Sequence, residues 1–345
     1  MNLSFAQLCA VTQGAAYFDE KDGAFRPHRF TPEEEALYSR TDYHLRVHST
    51  AGIQLVFRTD ATALALQVMT VPGSSRKYFC HDILADDVLV GTLDNYHDPT
   101  GEGLYYCQDY PLGRFSGEFD LGNGEKTVRI VLPWSVGSAV EALTLHNASF
   151  CEPVKEEKTV LIYGDSITHG YDSLNPSRTY AHRLARLLNA EGFNKAVGGE
   201  KYRPALALLK NNLNPDYISV AYGTNDWSGL PSAAVFEENC SGFLRNLRIA
   251  YPDTQIFVLS PIWRADAEND SAVGPFSCIA QFQQTICSQL ERVHFVSGID
   301  LVPHREDCFA DLRLHPSNEG FDHYFDNLKR LLTPLLSPAK NGHEI

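Results

Sequence analysis

The fold of this chain is decided by the stretch Val160-Leu161-Ile162-Tyr163-Gly164-Asp165-Ser166-Ile167-Thr168-His169-Gly170. Its first four residues are apolar and predict a buried strand, and a helical pattern begins further on, near Thr179. In open α/β sheets, the carboxyl ends of the strands carry the reactive side chains. Ser166 stands at such an end. It is either a nucleophile or an ordinary turn residue, because Gly, Asp and Ser are all common in turns.

The second half of the chain alternates short apolar segments with amphipathic ones, after a polar connector at 153–158. Strands are predicted at 160–163, 217–222, 256–260 and 293–296, with a weaker candidate at 195–197. Helices are predicted at 179–190, where Gly192 stops the helix, and at 233–250, 276–290 and 320–331. This alternation predicts an α/β fold, in which helices cover both faces of a parallel sheet.

The first half follows a different period. Between about residues 52 and 150, apolar residues such as Leu64, Leu66 and Val68 alternate with polar ones, and turn clusters such as Pro72-Gly73-Ser74-Ser75 separate the runs. Many short alternating strands predict an antiparallel β-sandwich of jelly-roll-like form. Thr31-Pro32-Glu33-Glu34 predicts the start of a short helix. We therefore expect a β-rich accessory domain at 1–152, an α/β domain at 158–337 and a polar tail at 338–345.

Composition excludes several classes of partner. The chain of 345 residues carries a formal net charge of −14, which argues against binding nucleic acid or an anionic membrane. It has no apolar run that could span a bilayer and no recognisable secretory signal. Eight scattered cysteines without a CxxC pair are typical of reduced thiols in a cytoplasmic protein. We therefore expect a cytoplasmic location, no metal and no cofactor, and make no prediction of the oligomeric state.

A nucleophilic serine needs hydrogen-bond donors that stabilise the oxyanion of the intermediate. The block Tyr222-Gly223-Thr224-Asn225-Asp226 follows a predicted strand, and the side-chain amide of Asn225 is a candidate donor. The block Ala196-Val197-Gly198-Gly199-Glu200 follows the weak strand, and a glycine there lets a backbone N–H approach a ligand closely. Each block taken alone is also explained as a turn or loop.

The serine also needs a base within hydrogen-bond reach. His315 precedes Pro316, which favours an extended backbone that can hold the imidazole over the sheet edge. Asp311 lies close enough in sequence to orient that imidazole. The chain has no phosphate-binding loop of the GxxxxGK[ST] type, no HExxH motif and no GxSxG motif around Ser166.

Taken in order, these blocks resemble the SGNH (GDSL-type) hydrolase superfamily. The four positions that define it are matched by Ser166, Gly199, Asn225 and His315. The resemblance covers about residues 158–335. With a β-rich domain before it, the module also looks like the family-two carbohydrate esterases and related bacterial deacetylases.

This resemblance implies a flavodoxin-like, three-layer α/β/α catalytic domain. Ser166 would attack an ester carbonyl while His315 takes its proton. The backbone N–H groups of Ser166 and Gly199 and the side-chain amide of Asn225 would hold the oxyanion. Water would then release the acyl group.

Two positions depart from the family pattern. The block that usually reads Asn-x-Gly-x-x-Gly has Ala196 at its first glycine position, and Gly198 competes with its neighbour for the role of the last one. The orienting aspartate normally lies three residues before the histidine, where this chain has Leu312. Either Asp311, four residues before, orients His315, or a backbone carbonyl does so in a Ser-His dyad, as is understood for some family-two carbohydrate esterases.

The leading hypothesis is a serine esterase that removes small acyl groups, acetyl in particular, from a small-molecule or oligosaccharide ester. Trp227 and Trp263 follow strand ends and are either platforms for a sugar ring or core residues. One alternative is a lipase- or thioesterase-type hydrolase of longer acyl chains. Another is a catalytically inactive carbohydrate-binding protein.

Overall fold

The computed structural model describes residues 1–41, 43–96, 110–209 and 213–336. The predicted tail at 338–345, and residue 337 at the end of the predicted α/β domain, lie outside the described residues. No helix within the described ranges is both long and apolar enough to cross a bilayer.

The first half consists of two antiparallel sheets and two short helices. Its strands are β1 (Thr12–Gln13), β2 (Tyr17–Lys21), β3 (Ala24–His28), β4 (Gln54–Thr59), β5 (Ala63–Pro72), β6 (Cys80–Ala85), β7 (Val88–Asp94), β8 (Arg114–Asp120), β9 (Lys126–Val131), β10 (Val136–His146) and β11 (Cys151–Pro153). Its helices are α1 (Phe5–Val11) and α2 (Pro32–Tyr38). One sheet has the order β1-β4-β9-β6-β7, with β11 beside β4, and the other has the order β2-β3-β10-β5-β8.

The inner faces of the two sheets form one apolar core, as the alternating pattern predicts. Along β5, Leu64, Leu66 and Val68 are fully buried, whereas Gln67 between them is exposed. These side chains share a buried cluster with residues of the opposite sheet, such as Leu55. The antiparallel β-rich half is therefore confirmed, and its description as a jelly roll stays a prediction.

The second half is a parallel sheet with helices on both faces. Its strands are β12 (Lys158–Gly164), β13 (Ala190–Asn194), β14 (Tyr217–Ala221), β15 (Gln255–Leu259) and β16 (Val293–Val296), in the order β13-β12-β14-β15-β16. Its helices are α3 (Ser166–His169), α4 (Tyr180–Leu187), α5 (Thr224–Gly229), α6 (Ala233–Ala250), α7 (Ser277–Cys287) and α8 (Asn318–Leu336). Separate apolar clusters lie on the two sides of the sheet. This strand order is that of flavodoxin-like sheets, and it confirms the predicted fold class.

One local prediction was wrong. The helix predicted to reach residue 190 ends at Leu187, and the strand predicted at 195–197 lies earlier, at Ala190–Asn194. Asn189 adopts left-handed backbone geometry (φ 48°), which ends the helix. Gly192 lies inside the strand, where a Cβ would come 2.7 Å from the Cβ of Ala185. This glycine therefore permits close packing of α4 on the sheet and does not stop a helix.

A segment of the first half is buried in the second. Helix α2 begins with the predicted capping box, in which Thr31 and Glu34 exchange hydrogen bonds. Phe30, Tyr38 and Val47 belong to the same buried cluster as the parallel sheet. The division of the chain at residues 152–158 stays a prediction, and the two halves share this core.

Candidate active site

Ser166 lies in the turn that joins β12 to α3. Asp165 caps this short helix, because its carboxylate accepts the N–H of Ile167 at 3.0 Å. A side chain at Gly164 would place its Cβ 2.1 Å from Oγ1 of Thr168, so the turn requires glycine there. Ser166 therefore stands at the carboxyl end of the strand, as predicted, and only 5% of its surface is exposed.

The loop before α8 is organised by Asp311. One oxygen of this carboxylate accepts three backbone N–H groups, from Arg313 at 3.0 Å, Leu314 at 2.7 Å and His315 at 3.0 Å. Leu312, at the position where the family pattern has its aspartate, adopts a left-handed conformation (φ 56°) and points to solvent. The loop thereby accommodates one extra residue and still turns Asp311 back toward His315.

The structure brings Ser166, His315 and Asp311 into one hydrogen-bonded chain. Nε2 of His315 lies 2.9 Å from Oγ of Ser166. Nδ1 of His315 lies 2.8 Å from the second oxygen of Asp311, which accepts its proton. Of the two alternatives left open by the sequence, this geometry matches the triad with Asp311, in which a carboxylate fixes the imidazole tautomer. The catalytic roles of these residues stay predictions.

A second carboxylate also faces His315. The Oδ2 atom of Asp172 lies 3.3 Å from Nδ1 of the imidazole, and Asp172 is fully buried. Its oxygens accept hydrogen bonds from Nε of Arg76 at 2.8 Å, Nη2 of Arg76 at 3.0 Å and the hydroxyl of Tyr78 at 2.8 Å. Arg76 and Tyr78 come from the first half of the chain.

The three titratable groups around this imidazole shift one another. Burial lowers the pKa of His315, but the hydrogen bonds and charges of Asp172 and Asp311 outweigh it and raise that pKa to about 9. Burial raises the pKa of Asp311, yet His315 and the backbone donors bring it well below its usual range. The pKa of Asp172 is also lowered despite burial, by His315 and Arg76. Both carboxylates are therefore ionised at neutral pH. The imidazole of His315 is protonated, and thus positively charged, at that pH in the enzyme without substrate.

The opposite side of the site presents N–H groups. Within the described residues, the backbone N–H groups of Ser166 and Gly199 have no acceptor. Gly198 is different, because its N–H donates to Nδ1 of His169 at 3.3 Å. The amide of Asn225 uses one hydrogen on the carbonyl of Glu200 at 3.1 Å, which leaves its second hydrogen for a ligand. The geometry therefore favours Gly199 over Gly198 as an oxyanion donor.

The first half holds the loop that carries Gly199. Nη1 of Arg46 donates to the carbonyl of Gly198, and the hydroxyl of Tyr43 donates to that of Gly199 at 3.0 Å. The fully buried guanidinium of Arg29 donates to the carbonyls of Asn194 and Ala196, both at 2.9 Å.

The backbone conformation at position 199 favours glycine, and side chains of the first half lie close to it. Gly199 has a left-handed φ of 84°, and a Cβ there would lie 2.7 Å from Nη1 of Arg46. The loop conformation therefore depends on a glycine in one half of the chain and on an arginine in the other.

A polar pocket of about 680 Å³ opens beside the triad. Asn225 and Leu314, the neighbour of His315, line it on the side of the triad. Its other polar or charged lining residues are Ser228, Arg264, Asp266, Asn269, Asp270, Ser271 and Arg313. The lining of the pocket is therefore mainly polar, and it has no extended apolar surface among these residues.

The two tryptophans proposed as sugar platforms pack against protein. Trp227 lines the pocket but is only 3% exposed, with the Arg264 guanidinium 4.9 Å from its ring centre. Its Nε1 donates to the carbonyl of Gly274 at 2.8 Å. Trp263 does not line the pocket, and it stacks on His304 at 5.5 Å. These contacts fit the reading of both as packing residues, and a role of either ring as a sugar platform stays a prediction.

Two groups of three side chains in the described ranges have potential ligand atoms within 4.8 Å of one another. One is Asp172, Asp311 and His315, whose atoms are already committed to the hydrogen bonds described above. The other is Cys308, Glu319 and His323, which lies largely at the surface and has no recognised ligand spacing. That the site holds no metal stays a prediction.

Sequence reasoning missed several residues of the site. The sequence assigns no role to Asp172, and Arg76 follows Pro72-Gly73-Ser74-Ser75, which reads solely as a turn. Trp134 also lies near the site, because its ring packs 4.9 Å from that of Tyr171, which lies 5.5 Å from the imidazole of His315. None of these positions lies in a recognisable motif. Their only signal was charge or an aromatic ring next to a turn, which is too common to be informative.

Fold and site together define the class of the molecule. A flavodoxin-like sheet carries Ser166, Gly199, Asn225 and His315 at its carboxyl edge, which is the arrangement of the SGNH-type hydrolases. Residues 162–323 match the GDSL-like lipase/acylhydrolase family. Over these residues the chain is similar to that family, and the chain is a hydrolase that acts on ester bonds.

Solved structures share the complete two-part fold. A salicylyl-acyltransferase from a tetracycline biosynthetic pathway superposes with a TM-score of 0.79 at 22% identity, over 97% of each chain. A family-two carbohydrate esterase from Cellvibrio japonicus gives 0.63 at 18% identity, over 97% of this chain and 96% of the other. An acetyl xylan esterase from the rumen bacterium Butyrivibrio proteoclasticus gives 0.62 at 14% identity, over 97% and 98%. No curated protein sequence matches the chain.

Proposed function

We propose that this hydrolase removes short acyl groups, acetyl in particular, from the hydroxyls of a carbohydrate through an acyl-enzyme on Ser166. The observation that carries the proposal is the hydrogen-bonded chain from Ser166 through His315 to Asp311. In this mechanism His315 accepts the proton of Ser166 as Oγ attacks the ester carbonyl, and donates it to the departing alcohol. Water then attacks the acyl-enzyme with the same base.

The oxyanion would be held by three donors. They are the N–H groups of Ser166 and Gly199 and the free hydrogen of the Asn225 amide. Each such donor contributes about 3 kcal/mol of transition-state stabilisation in comparable enzymes. That contribution requires the donors to be fixed in place before the reaction, and the contacts of Arg46 and Tyr43 meet this requirement for Gly199.

The polar pocket supports a carbohydrate as the alcohol part of the substrate. Its lining by Asn225, Arg264, Asp266 and Asn269 suits hydroxyl groups and offers poor packing to a long acyl chain. Several proteins that share the fold are described as carbohydrate esterases, and one of them is described as an acetyl xylan esterase. The same pocket argues against the alternative of a lipase or thioesterase for long acyl chains.

Chain-length selectivity tests this proposal. We expect p-nitrophenyl acetate to be turned over much faster than p-nitrophenyl octanoate, and acetylated oligosaccharides to release acetate. A preference for octanoate would refute the deacetylase proposal. Transfer of the acetyl group to an added alcohol, with no release of acetate, would indicate an acyltransferase.

Labelling with a fluorophosphonate tests the nucleophile separately. We expect the protein to be labelled, and the Ser166→Ala variant to lose both the label and about six orders of magnitude in kcat. An unlabelled but folded wild-type protein that binds oligosaccharide would favour the inactive carbohydrate-binding alternative.

We further propose that the protein works in the cytoplasm. The seven cysteines in the described ranges are free thiols, which suits a reducing compartment. Fractionation of the source cells tests this location. Recovery of the protein from the medium of intact cells would contradict it.

A further inference from the structure

The buried carboxylate of Asp172 has no place in an ordinary Ser-His-Asp triad. Asp172 follows α3 and adopts a left-handed backbone conformation (φ 65°). It is fully buried, and one of its oxygens lies 3.3 Å from Nδ1 of His315. The same nitrogen lies 2.8 Å from Asp311. The single Nδ1 proton therefore faces two carboxylates.

Asp172 is held from the other half of the chain. Arg76 donates two hydrogen bonds, at 2.8 and 3.0 Å, in the bidentate geometry that suits a carboxylate. Tyr78 adds a third at 2.8 Å. A buried ion pair is weak evidence for stability, because apolar side chains of the same volume often stabilise a core as well or better. Its position against a catalytic base points to a role in the chemistry.

Arg76 brings the net charge of the groups around the imidazole close to that of an ordinary triad. Asp311 and Asp172 bring two negative charges, and the guanidinium of Arg76 offsets one of them. The imidazole then experiences the net negative charge of an ordinary triad. Without Arg76 it would face two uncompensated carboxylates and bind its proton still more tightly, so the base would become neutral only at a higher pH.

We propose that Asp172 is a second positioning residue for His315, and that Arg76 from the first half balances its charge. The pair thereby couples the catalytic imidazole to the packing of one half of the chain against the other. This inference rests on the proposed roles of Ser166 and His315. It extends them by making a residue outside the GDSL-type domain a determinant of the pH at which the base is neutral.

The remaining groups around His315 do not supply the same balance. Tyr171 packs its ring 5.5 Å from the imidazole. Asp165 lies behind the nucleophile and interacts with His315 through its charge. Arg313, on the same loop as His315, is paired with Asp266 at 3.4 Å. Among these neighbours, Arg76 provides the guanidinium bound directly to a carboxylate that faces Nδ1.

Titration of His315 by NMR in the Ser166→Ala background tests the proposal without a substrate. The signal is identified by its loss in the Ser166→Ala/His315→Gln double variant. Asp172→Asn removes a negative charge and leaves Arg76 uncompensated, so we expect the pKa of His315 to fall by about one unit or more. Arg76→Gln has the opposite effect, because it leaves Asp172 uncompensated, and we expect a rise of similar size.

The double variant Asp172→Asn/Arg76→Gln removes a neutral pair, and its titration should return close to that of the parent. Arg58→Gln is the matched control, since Arg58 pairs with Glu125 and Glu152 on the exposed surface of the same half. We expect it to leave the titration unchanged.

Titration curves of Asp172→Asn and Arg76→Gln that coincide with the parent, in folded proteins, overturn the proposal. If Arg76→Gln does not fold, Asp172→Asn decides alone, because it preserves the shape of the side chain. These outcomes are independent of the proposed esterase activity, which is tested by fluorophosphonate labelling of the intact protein. Absence of labelling in the intact protein with Ser166 would therefore refute the proposed function, and unshifted titrations would refute the proposed role of the Asp172–Arg76 pair.

Discussion

The loop that carries Ser166 and the loop that carries Gly199 lie at the ends of neighbouring strands, yet they are stabilised differently. The turn before Ser166 is fixed by its own residues, through the cap of Asp165 and the close contact between Gly164 and Thr168. The loop of Gly199 is held by side chains more than 150 positions earlier in the chain. The position of the nucleophile is thus determined by a short segment of sequence. The position of the Gly199 N–H, in contrast, depends on contacts with the first half of the chain.

Apart from the loss of the nucleophile itself, the largest effect should come from removing both carboxylates that face His315. Asp311→Asn together with Asp172→Asn leaves no acceptor for the Nδ1 proton and permits the wrong tautomer. We expect kcat to fall by about four orders of magnitude. Asp311→Asn alone should cost roughly a hundredfold, because Asp172 remains at 3.3 Å to accept the proton.

Steady-state kinetics on p-nitrophenyl acetate measures these losses, and fluorophosphonate labelling reports whether Ser166 is still accessible. If Asp311→Asn alone costs four orders of magnitude, Asp172 does not act as a second acceptor. If the double variant costs less than tenfold, the enzyme works as a Ser-His dyad.

The next largest effect on kcat should come from removing a donor to the oxyanion. Asn225→Ala removes one of the three proposed donors, and we expect kcat to fall by about 10²–10³ with little change in KM, because the lost interaction forms only in the transition state. Ser228→Ala is a suitable control, since this residue lines the same pocket and its hydroxyl donates to the carbonyl of Thr224 at 3.1 Å. A rise in KM at constant kcat would assign Asn225 to substrate binding and not to the oxyanion.

The pH dependence of the wild-type enzyme reports on His315, which contacts Ser166 and, through Asp172, is connected to the first half of the chain. A base must be unprotonated, and the pKa of His315 is raised to about 9 by its two carboxylates, against the opposing effect of burial. We therefore expect kcat/KM to increase roughly tenfold per pH unit above neutrality and to level off near pH 9. Hydrolysis by Ser166→Ala at each pH gives the background. A plateau already reached at pH 6 would show that the imidazole is not under the influence of both charges.

The smallest effect should come from loosening the Gly199 loop from the first half. Arg46→Met removes the donor to the carbonyl of Gly198, and we expect kcat to fall about tenfold through a misplaced Gly199 N–H. Fluorophosphonate labelling of Ser166 should persist, because the nucleophile loop does not depend on Arg46. Arg58→Met serves as the control. Equal loss of labelling and turnover would show that the two loops are not independent.

Much of the fold could be predicted from the sequence, because hydrophobic period is a local property. Strands β12, β14, β15 and β16 lie within a residue or two of their predicted positions. The strand β13 was misplaced, because Gly192 is compatible both with the end of a helix and with a strand that packs closely on a helix. Only its contact with Ala185 decides between these two interpretations. A single sequence holds no record of that contact.

The site could be predicted only in part. Ser166, His315 and Asp311 were found because family blocks or short spacings carry them, and the structure brings them together. Asp172 and Arg76 are 96 positions apart and become neighbours only after both halves pack. Their pairing depends on tertiary geometry, which no local pattern encodes.

The burial of Phe30, Tyr38 and Val47 among the strands of the second half has a consequence for truncation and for the order of synthesis. A fragment that starts at residue 158 would expose the apolar groove these side chains fill, and we expect it to aggregate. On the ribosome, the early segment emerges well before its groove exists and must wait for the later strands. We therefore expect hydrolytic activity only after the strands of the second half have formed around these three side chains.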